Sequence, residues 1–449
     1  MIESKITEMA TMQPQIVSKE TIKPSSPTPD HLRTHKLSLL DQLTPHIYLP
    51  MLLFYPSEGC DSPSQIADKS HRLKTSLSET LSRYYPFAGR LADRATIDCN
   101  DEGIEFYEAQ INCQLSEILK KPEPETLDLF YPNGILYNDS YKASLVVFQI
   151  THFNCGGMAI AMCMLHKIAD GAAVSSFLSD WATMARQSGE EVSPKFISAS
   201  LSPPNDQPDM PDTKLECENC VTRRYVFDAS KLAELKAMSV DSGVPNPTRV
   251  EVVTTLIFKC ATAASTSNLV SSRPSVLLQP VNLRPRMSPP LPENSVGNFS
   301  WFFSIMAKDE SDTDLPRLVG ELKKGMAQFS EKYAKNLTAN ECYSLICEAI
   351  KEAKKVLNKN ENINMFKCSS LCRYPFNQMN FGWGKPIWVG FSSSKVKNTF
   401  HLTDARGGGI EAWVTLGEQD MAVFERDEEL LAFASLNPSA FYADCDFVV

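Results

Sequence analysis

An α/β protein of two large domains is predicted from three features: the chain length, the alternation of strand-like and helix-like apolar patterns in both halves, and one proline-rich acidic break between them. At 449 residues the chain exceeds one ordinary core, since domains usually run about 100–200 residues. A hydrophobic content of 43% with 22% charged residues is that of a globular chain with ample core material.

The elements follow in order. After a floppy polar start, residues 23–29 give an extended, proline-stiffened lead-in, and residues 37–43 are the first good apolar segment. Over residues 66–84, Leu73, Leu77 and Leu81 recur with Ile66 and Tyr84 at helical spacing. The pattern breaks at Tyr85-Pro86-Phe87-Ala88-Gly89-Arg90, which reads as helix, turn, strand. Residues 145–153 and 157–165 are strand-like runs joined by Asn154-Cys155-Gly156-Gly157, a close strand pair. From Ala172 on, Val174, Phe177, Leu178, Trp181 and Ala185 keep helical spacing behind an Asp170-Gly171 cap. Residues 200–219, with four prolines among acidic and polar residues, are the best linker. The expected division is therefore 1–199, a crossover at 200–222, and 223–449. Beyond it, a strand at 224–227, helices at 230–242 and 249–264, and strands at 275–278 and 387–391 repeat the α-plus-β style.

Composition narrows the function. A net charge of −10 argues against broad binding to nucleic acid or anionic membranes, which need clustered cations. The longest apolar stretch, residues 156–165, is far short of the ~20 residues that span a bilayer, and the polar start lacks a signal-peptide core. A soluble, cytoplasmic protein is expected. The 13 cysteines read as reduced thiols and small core residues. Cys217 and Cys220 resemble half a zinc site, but no second pair completes it, so no metal is expected.

Chemistry starts at His166-Lys167-Ile168-Ala169-Asp170-Gly171, placed between a strand and a helix. An imidazole there can take a proton from an alcohol or amine and return it to a leaving group. In a strand ending at Leu165, Cys163 faces away from His166, so a Cys-His nucleophilic pair is not expected. Gly-x-Ser-x-Gly, Walker A and Gly-x-Gly-x-x-Gly patterns are absent from the sequence, which leaves direct transfer by a base. The competing reading is a buried histidine held by the helix start, with Asp170 a plain cap. Two further clusters stand out. Asn380-Phe381-Gly382-Trp383-Gly384-Lys385-Pro386 sets paired glycines around an aromatic ring. In Asn282-Leu283-Arg284-Pro285-Arg286, either arginine could lie on a solvated face or pair with a buried carboxylate.

Together these residues resemble the plant BAHD acyltransferases, which carry His-x-x-x-Asp-Gly in mid-chain and Asp-Phe-Gly-Trp-Gly near the C-terminus. The resemblance runs nearly end to end: Pro24 to Pro29, Tyr85 to Leu91, Asp98-Cys99-Asn100, Cys155-Gly156-Gly157, Asn282-Leu283-Arg284, Asn294-Ser295-Val296-Gly297-Asn298 and Gly409-Ile410-Glu411-Ala412. The chain looks most like the branch containing vinorine synthase and deacetylvindoline acetyltransferase. That resemblance implies two similar-sized chloramphenicol-acetyltransferase-like domains with mixed sheets and a channel between them. It also implies acetyl transfer from acetyl-CoA, or another acyl-CoA, to an alcohol of a specialised metabolite such as an alkaloid or terpenoid. His166 would be the general base, no acyl-enzyme would form, and Trp383 would mark the oxyanion donors. Asp170 would turn away and pair with Arg284, shaping the loop together with Gly171, Asn380, Gly382 and Gly384.

Acyl-CoA would be a co-substrate with no tightly bound cofactor, its phosphates meeting Lys259 and Lys385, with Arg373 on the acceptor side of a monomer. Two departures keep a rival open. Asn380 replaces the usual aspartate and Leu371 the tryptophan common in Ser-Trp-Cys-Arg. In that rival a repurposed relative binds a metabolite or catalyses an elimination or cyclisation in the same channel. Residues 298–303, rich in alternating aromatics, fit a bulky apolar acceptor or a core strand.

Overall fold

The computed structural model describes residues 13–57, 62–205, 219–267, 273–309, 312–333, 341–351 except 342 and 349, and 363–441. Most of the predicted linker, including Cys217, lies outside these residues, and the strand Cys220–Phe227 already begins within it. Among the described residues no helix is long and apolar enough to cross a membrane.

Two mixed sheets dominate. The first has six strands in the order Gln15–Ile22, Ile104–Ile111, Val146–Phe153, Met158–Leu165, Tyr48–Tyr55 and Trp388–Gly390. Its centre is Val146–Phe153 against Met158–Leu165, an antiparallel pair buried along its whole length. Both faces are covered, which is why Met158–Leu165 reads as a continuous apolar run rather than as alternation, while Val146–Phe153 buries Gln149, Thr151 and His152 among its apolar residues. The helix Pro63–Arg83 places Leu73, Leu77 and Leu81 in this core, after a Ser62/Gln65 capping box and Pro63 in its first turn. The expected floppy start differs from the structure over Gln15–Ile22, which is an edge strand on Ile104–Ile111. Its mostly exposed side chains leave little apolar signal to read.

The second sheet runs Ser300–Ala307, Ser275–Asn282, Asn364–Ser370, Thr399–Asp404, Ile410–Gly417, Cys220–Phe227 and Ser435–Leu436. Period-2 geometry divides its side chains between two environments. Phe366, Cys368, Phe400 and Leu402 join a core built with the helices Arg249–Thr266 and Leu315–Tyr333. Lys367, Ser369 and His401 therefore project from the other face. Trp413, also on that face, packs in the first sheet's core against Trp388 and Phe391, with ring centroids 6.0 and 5.7 Å away. The inner face of the second sheet thus meets the N-terminal half.

The strand Trp388–Gly390 crosses between the halves: it comes from the C-terminal half yet pairs with Tyr48–Tyr55, with Trp388 opposite Phe54 and stacked on it at 5.6 Å. A single cut at 200–222 therefore does not separate the sheets. Glu411 secures the crossing. It receives Arg224 Nε and Nη2 at 2.7 and 3.0 Å and the Trp388 indole N–H at 3.1 Å, with Arg224 and Glu411 both buried. Glu411→Ala should lower stability by ~3–5 kcal/mol, because it leaves a buried guanidinium without its carboxylate. Urea unfolding measures this, and a wild-type midpoint would show that the pair does not hold the crossing.

Candidate active site

His166 stands where a strand becomes a helix. Its backbone N–H donates to the Ile47 carbonyl at 2.8 Å, one step beyond the Tyr48–Leu165 pair. The chain then makes one 3₁₀ turn, His166–Ile168, and enters the helix Gly171–Arg186, whose cap is Asp170 accepting the Ala173 N–H at 3.0 Å. The His166 Nδ1 atom lies 3.1 Å from the Ala169 carbonyl oxygen. A carbonyl only accepts, so this contact assigns the proton to Nδ1 and leaves the Nε2 lone pair free. Burial, assisted by the nearby Lys367 cation, lowers the His166 pKa to about 4. The ring is therefore neutral at pH 7, in the form that accepts a proton. Burial raises the Cys163 thiol well above its usual range, so it holds no nucleophilic thiolate.

Asp170 does not touch the imidazole. It takes Arg284 in a bidentate pair, Nη1 to Oδ2 at 2.8 Å and Nη2 to Oδ1 at 3.0 Å, and accepts the Phe299 N–H at 2.9 Å. Burial alone would raise this carboxyl, but the Arg284 charge and these hydrogen bonds hold it below the usual carboxylate range. Arg284, 1% exposed, also donates to the Ser295 and Gly297 carbonyls and lies over the Phe299 ring at 4.7 Å. The His166 turn is held from a second side by Asn298, whose Nδ2 donates to the His166 carbonyl at 2.8 Å and to Asp41 Oδ1 at 2.9 Å. Sequence reasoning missed the roles of Asn298 and Asp41. Asn298 lies inside a motif that had been noted, but nothing local to it signals His166 as its partner.

The facing wall is the inner face of the second sheet. Lys367 interacts electrostatically with both His166 and His401, and burial, with Lys367 and His166 adding to it, lowers the His401 pKa to about 4. The Lys367 ammonium sits over the Phe302 ring at 5.2 Å. Leu371 packs on the start of the helix Gly171–Arg186: a Cβ on Gly171 would come within 2.7 Å of the Leu371 Cδ2 atom. A side chain at Gly171 would have to displace the Leu371 side chain, so Leu371 is a wall of the site. Among the described residues no group of His, Cys, Asp and Glu could hold a metal ion.

The Asn380–Lys385 loop is elsewhere, which corrects the placement of Trp383. Its ring packs edge-on to Tyr55 at 6.4 Å, and Tyr55 is paired with Met158, at the opposite end of the strand from the Tyr48–Leu165 pair beside His166. Seven strand steps make that roughly 23 Å. Independently, Arg186, the last residue of the helix that begins beside His166, donates to the Asn380 carbonyl at 2.6 Å. Fifteen helical steps give roughly 22 Å. The Trp383 indole cannot serve a carbonyl at His166. Asn380 itself closes the loop, its Oδ1 accepting the Gly382 and Gly384 N–H groups at 2.8 and 3.1 Å while both glycines hold positive φ.

The predicted phosphate partners are also redistributed. Lys259 sits on the helical side of the second sheet with its ammonium 2.7 Å from Glu429, so it is not a free cation. Lys385 is exposed in the remote loop. Arg373 is exposed near Leu371, at φ 74°, with its N–H donating to Asp404 at 2.6 Å. Of the three, only Arg373 stands near the His166 wall. Asp170→Ala should cost ~3–5 kcal/mol by stranding Arg284, so the melting temperature and soluble yield should fall together with activity. A variant as stable as wild type yet inactive would give Asp170 a chemical role instead.

Comparisons with known proteins identify the family. The sequence profile of the Transferase family matches residues 12–431. Akuammiline synthase 1 of Alstonia scholaris is 46% identical over 94% of this chain and 98% of its own length. The 17,18-epoxy-17-hydroxycur-19-ene N-malonyltransferase of Strychnos nux-vomica is 44% identical over 95% of this chain and 92% of its own. The crystal structure of vinorine synthase superposes with a TM-score of 0.83 at 33% identity, covering 96% of this chain and all of that one. The chain therefore belongs to the Transferase family, the BAHD acyltransferases, and is an acyltransferase that draws on acyl-CoA.

Proposed function

We propose that the chain moves an acetyl group from acetyl-CoA directly onto a hydroxyl of an alkaloid or terpenoid, with His166 as general base. The observation that carries this reading is the fixed tautomer: Nδ1–H committed to the Ala169 carbonyl and a free lone pair on a neutral ring. The acceptor O–H donates to Nε2, its oxygen attacks the thioester carbonyl, and the proton passes to the departing CoA sulfur as the C–S bond breaks. Such a base contributes about 10²–10⁴-fold, and holding both substrates together supplies proximity. The partly exposed side chains of Asn282, Lys367, Ser369 and His401, opposite His166, support a channel between the halves.

The N-malonyl activity in one relative's name makes the donor and the acceptor atom worth testing rather than assuming. The rival, a protein repurposed for binding, elimination or cyclisation, loses one of its motives because Asn380 makes the loop hydrogen bonds with its amide oxygen.

Incubating the protein with acetyl-CoA or malonyl-CoA and a panel of alkaloid and terpenoid alcohols and amines, read by mass spectrometry, should give a product heavier by one acyl group. His166→Ala should reduce turnover about 10²–10⁴-fold. Transfer unaffected by that substitution would remove His166 from the mechanism. A second expectation concerns pH. A base works above its pKa, so kcat/KM should be lost only as the pH falls toward about 4, and not through the ordinary histidine value near 6.5. An acid limb centred at or above that ordinary value would contradict the desolvated ring.

A further inference from the structure

Lys367 is the charged group at the site for which transfer chemistry has no use. It comes from Asn364–Ser370, opposite Leu278 in the register, and projects from the inner face beside Phe302. Among the described residues no carboxylate pairs with it. The nearest acid of the catalytic loop, Asp170, is occupied by Arg284, and His166 and His401, which feel its charge, are neutral at pH 7. The π-face of Phe302 offsets only part of the desolvation of an ammonium. Burial accordingly lowers the lysine's own pKa. An anion arriving with the substrates would complete the site. The phosphates of CoA cannot be that anion, because the pantetheine arm separates them from the thioester that must meet His166.

Resting on the reading of His166 as transfer base, we infer that Lys367 anchors a carboxylate subsite beside the reacting centre. One of the two substrates then carries a carboxylate close to the reacting group. It is either the terminal carboxylate of a dicarboxylic acyl-CoA such as malonyl-CoA, or a carboxylate on the acceptor skeleton. The ammonium donates charge-assisted hydrogen bonds to it, and the partly buried Leu278, Pro280 and Phe302 line the apolar side. No bond is made or broken at Lys367.

Calorimetric titration of the full chain with malonyl-CoA and acetyl-CoA, which differ by one carboxylate, tests the donor arm. Wild type should bind malonyl-CoA at least about tenfold tighter, a difference of about 1.4 kcal/mol. Lys367→Met should erase the difference and Lys367→Arg should keep most of it. If the two esters bind wild type equally, the acceptor arm decides. On the CoA-saturated protein, carboxylate-bearing alcohols should then bind at least about tenfold tighter than their methyl esters, again only with a cation at Lys367. No Lys367-dependent carboxylate preference in either arm overturns the inference. A Lys367-dependent preference in a protein that transfers no acyl group would sink the transfer reading and leave the subsite standing.

Discussion

The pair between Arg284 and Asp170 ties together everything the site needs. Two charges taken fully out of water are tolerable only with good geometry and every remaining donor and acceptor satisfied. Here the guanidinium meets both carboxylate oxygens and two backbone carbonyls, and the carboxylate also receives the Ala173 and Phe299 N–H groups. One partner caps the helix beside His166. The other follows Ser275–Asn282 in the second sheet. The pair therefore fixes the imidazole relative to the wall that carries Lys367 and His401, which neither half could do alone.

In the proposed role of general base, His166 would be one of an unusual kind. Desolvation and a neighbouring cation both disfavour its protonated form, so the free protein holds a ring that stays neutral well into acid. The low proton affinity guards against loss of the base by protonation, at the expense of driving force for taking a proton from an alcohol. A substrate carboxylate resting on Lys367 would cancel much of the cation's influence and raise the affinity of His166 for a proton when both substrates are in place. Recognition of the substrate and strength of the base would then be linked through one ammonium group.

The features legible in the sequence were those written in local periodicity. The helix Gly171–Arg186, its Asp170 cap and the strand pair before it all follow from spacing over a few residues. The Arg284 partner of Asp170 came from family resemblance, because an ion pair over 114 positions leaves no local trace. Lys367 and His401 were not singled out: a lone polar residue in a strand looks the same whether its face meets solvent or a buried site. Trp383 was misplaced for a related reason. Its motif marks a tight, glycine-dependent loop, but a motif does not say at which end of a sheet the loop docks.

That remote loop still bears on the chemistry through the helix Gly171–Arg186. At the N-terminal end of this helix Asp170 is bound to Arg284, and at the C-terminal end Arg186 is bound to the Asn380 carbonyl. Both partners come from the second half of the sequence, but the Asn380 loop packs on the first sheet, where Phe381 lies in the core and Trp383 against it, so only the Asp170–Arg284 end of the helix, roughly 22 Å away, reaches the second sheet. The Asp170–Arg284 pair joins the helix to the second sheet, and the Arg186 contact steadies the far end of the same helix against the first. That contact uses a backbone carbonyl on the loop and needs no side-chain charge there. Asn380 can therefore stand where relatives of this family carry an aspartate: its amide oxygen accepts the Gly382 and Gly384 N–H groups, the loop keeps its shape, and Arg186 keeps its acceptor.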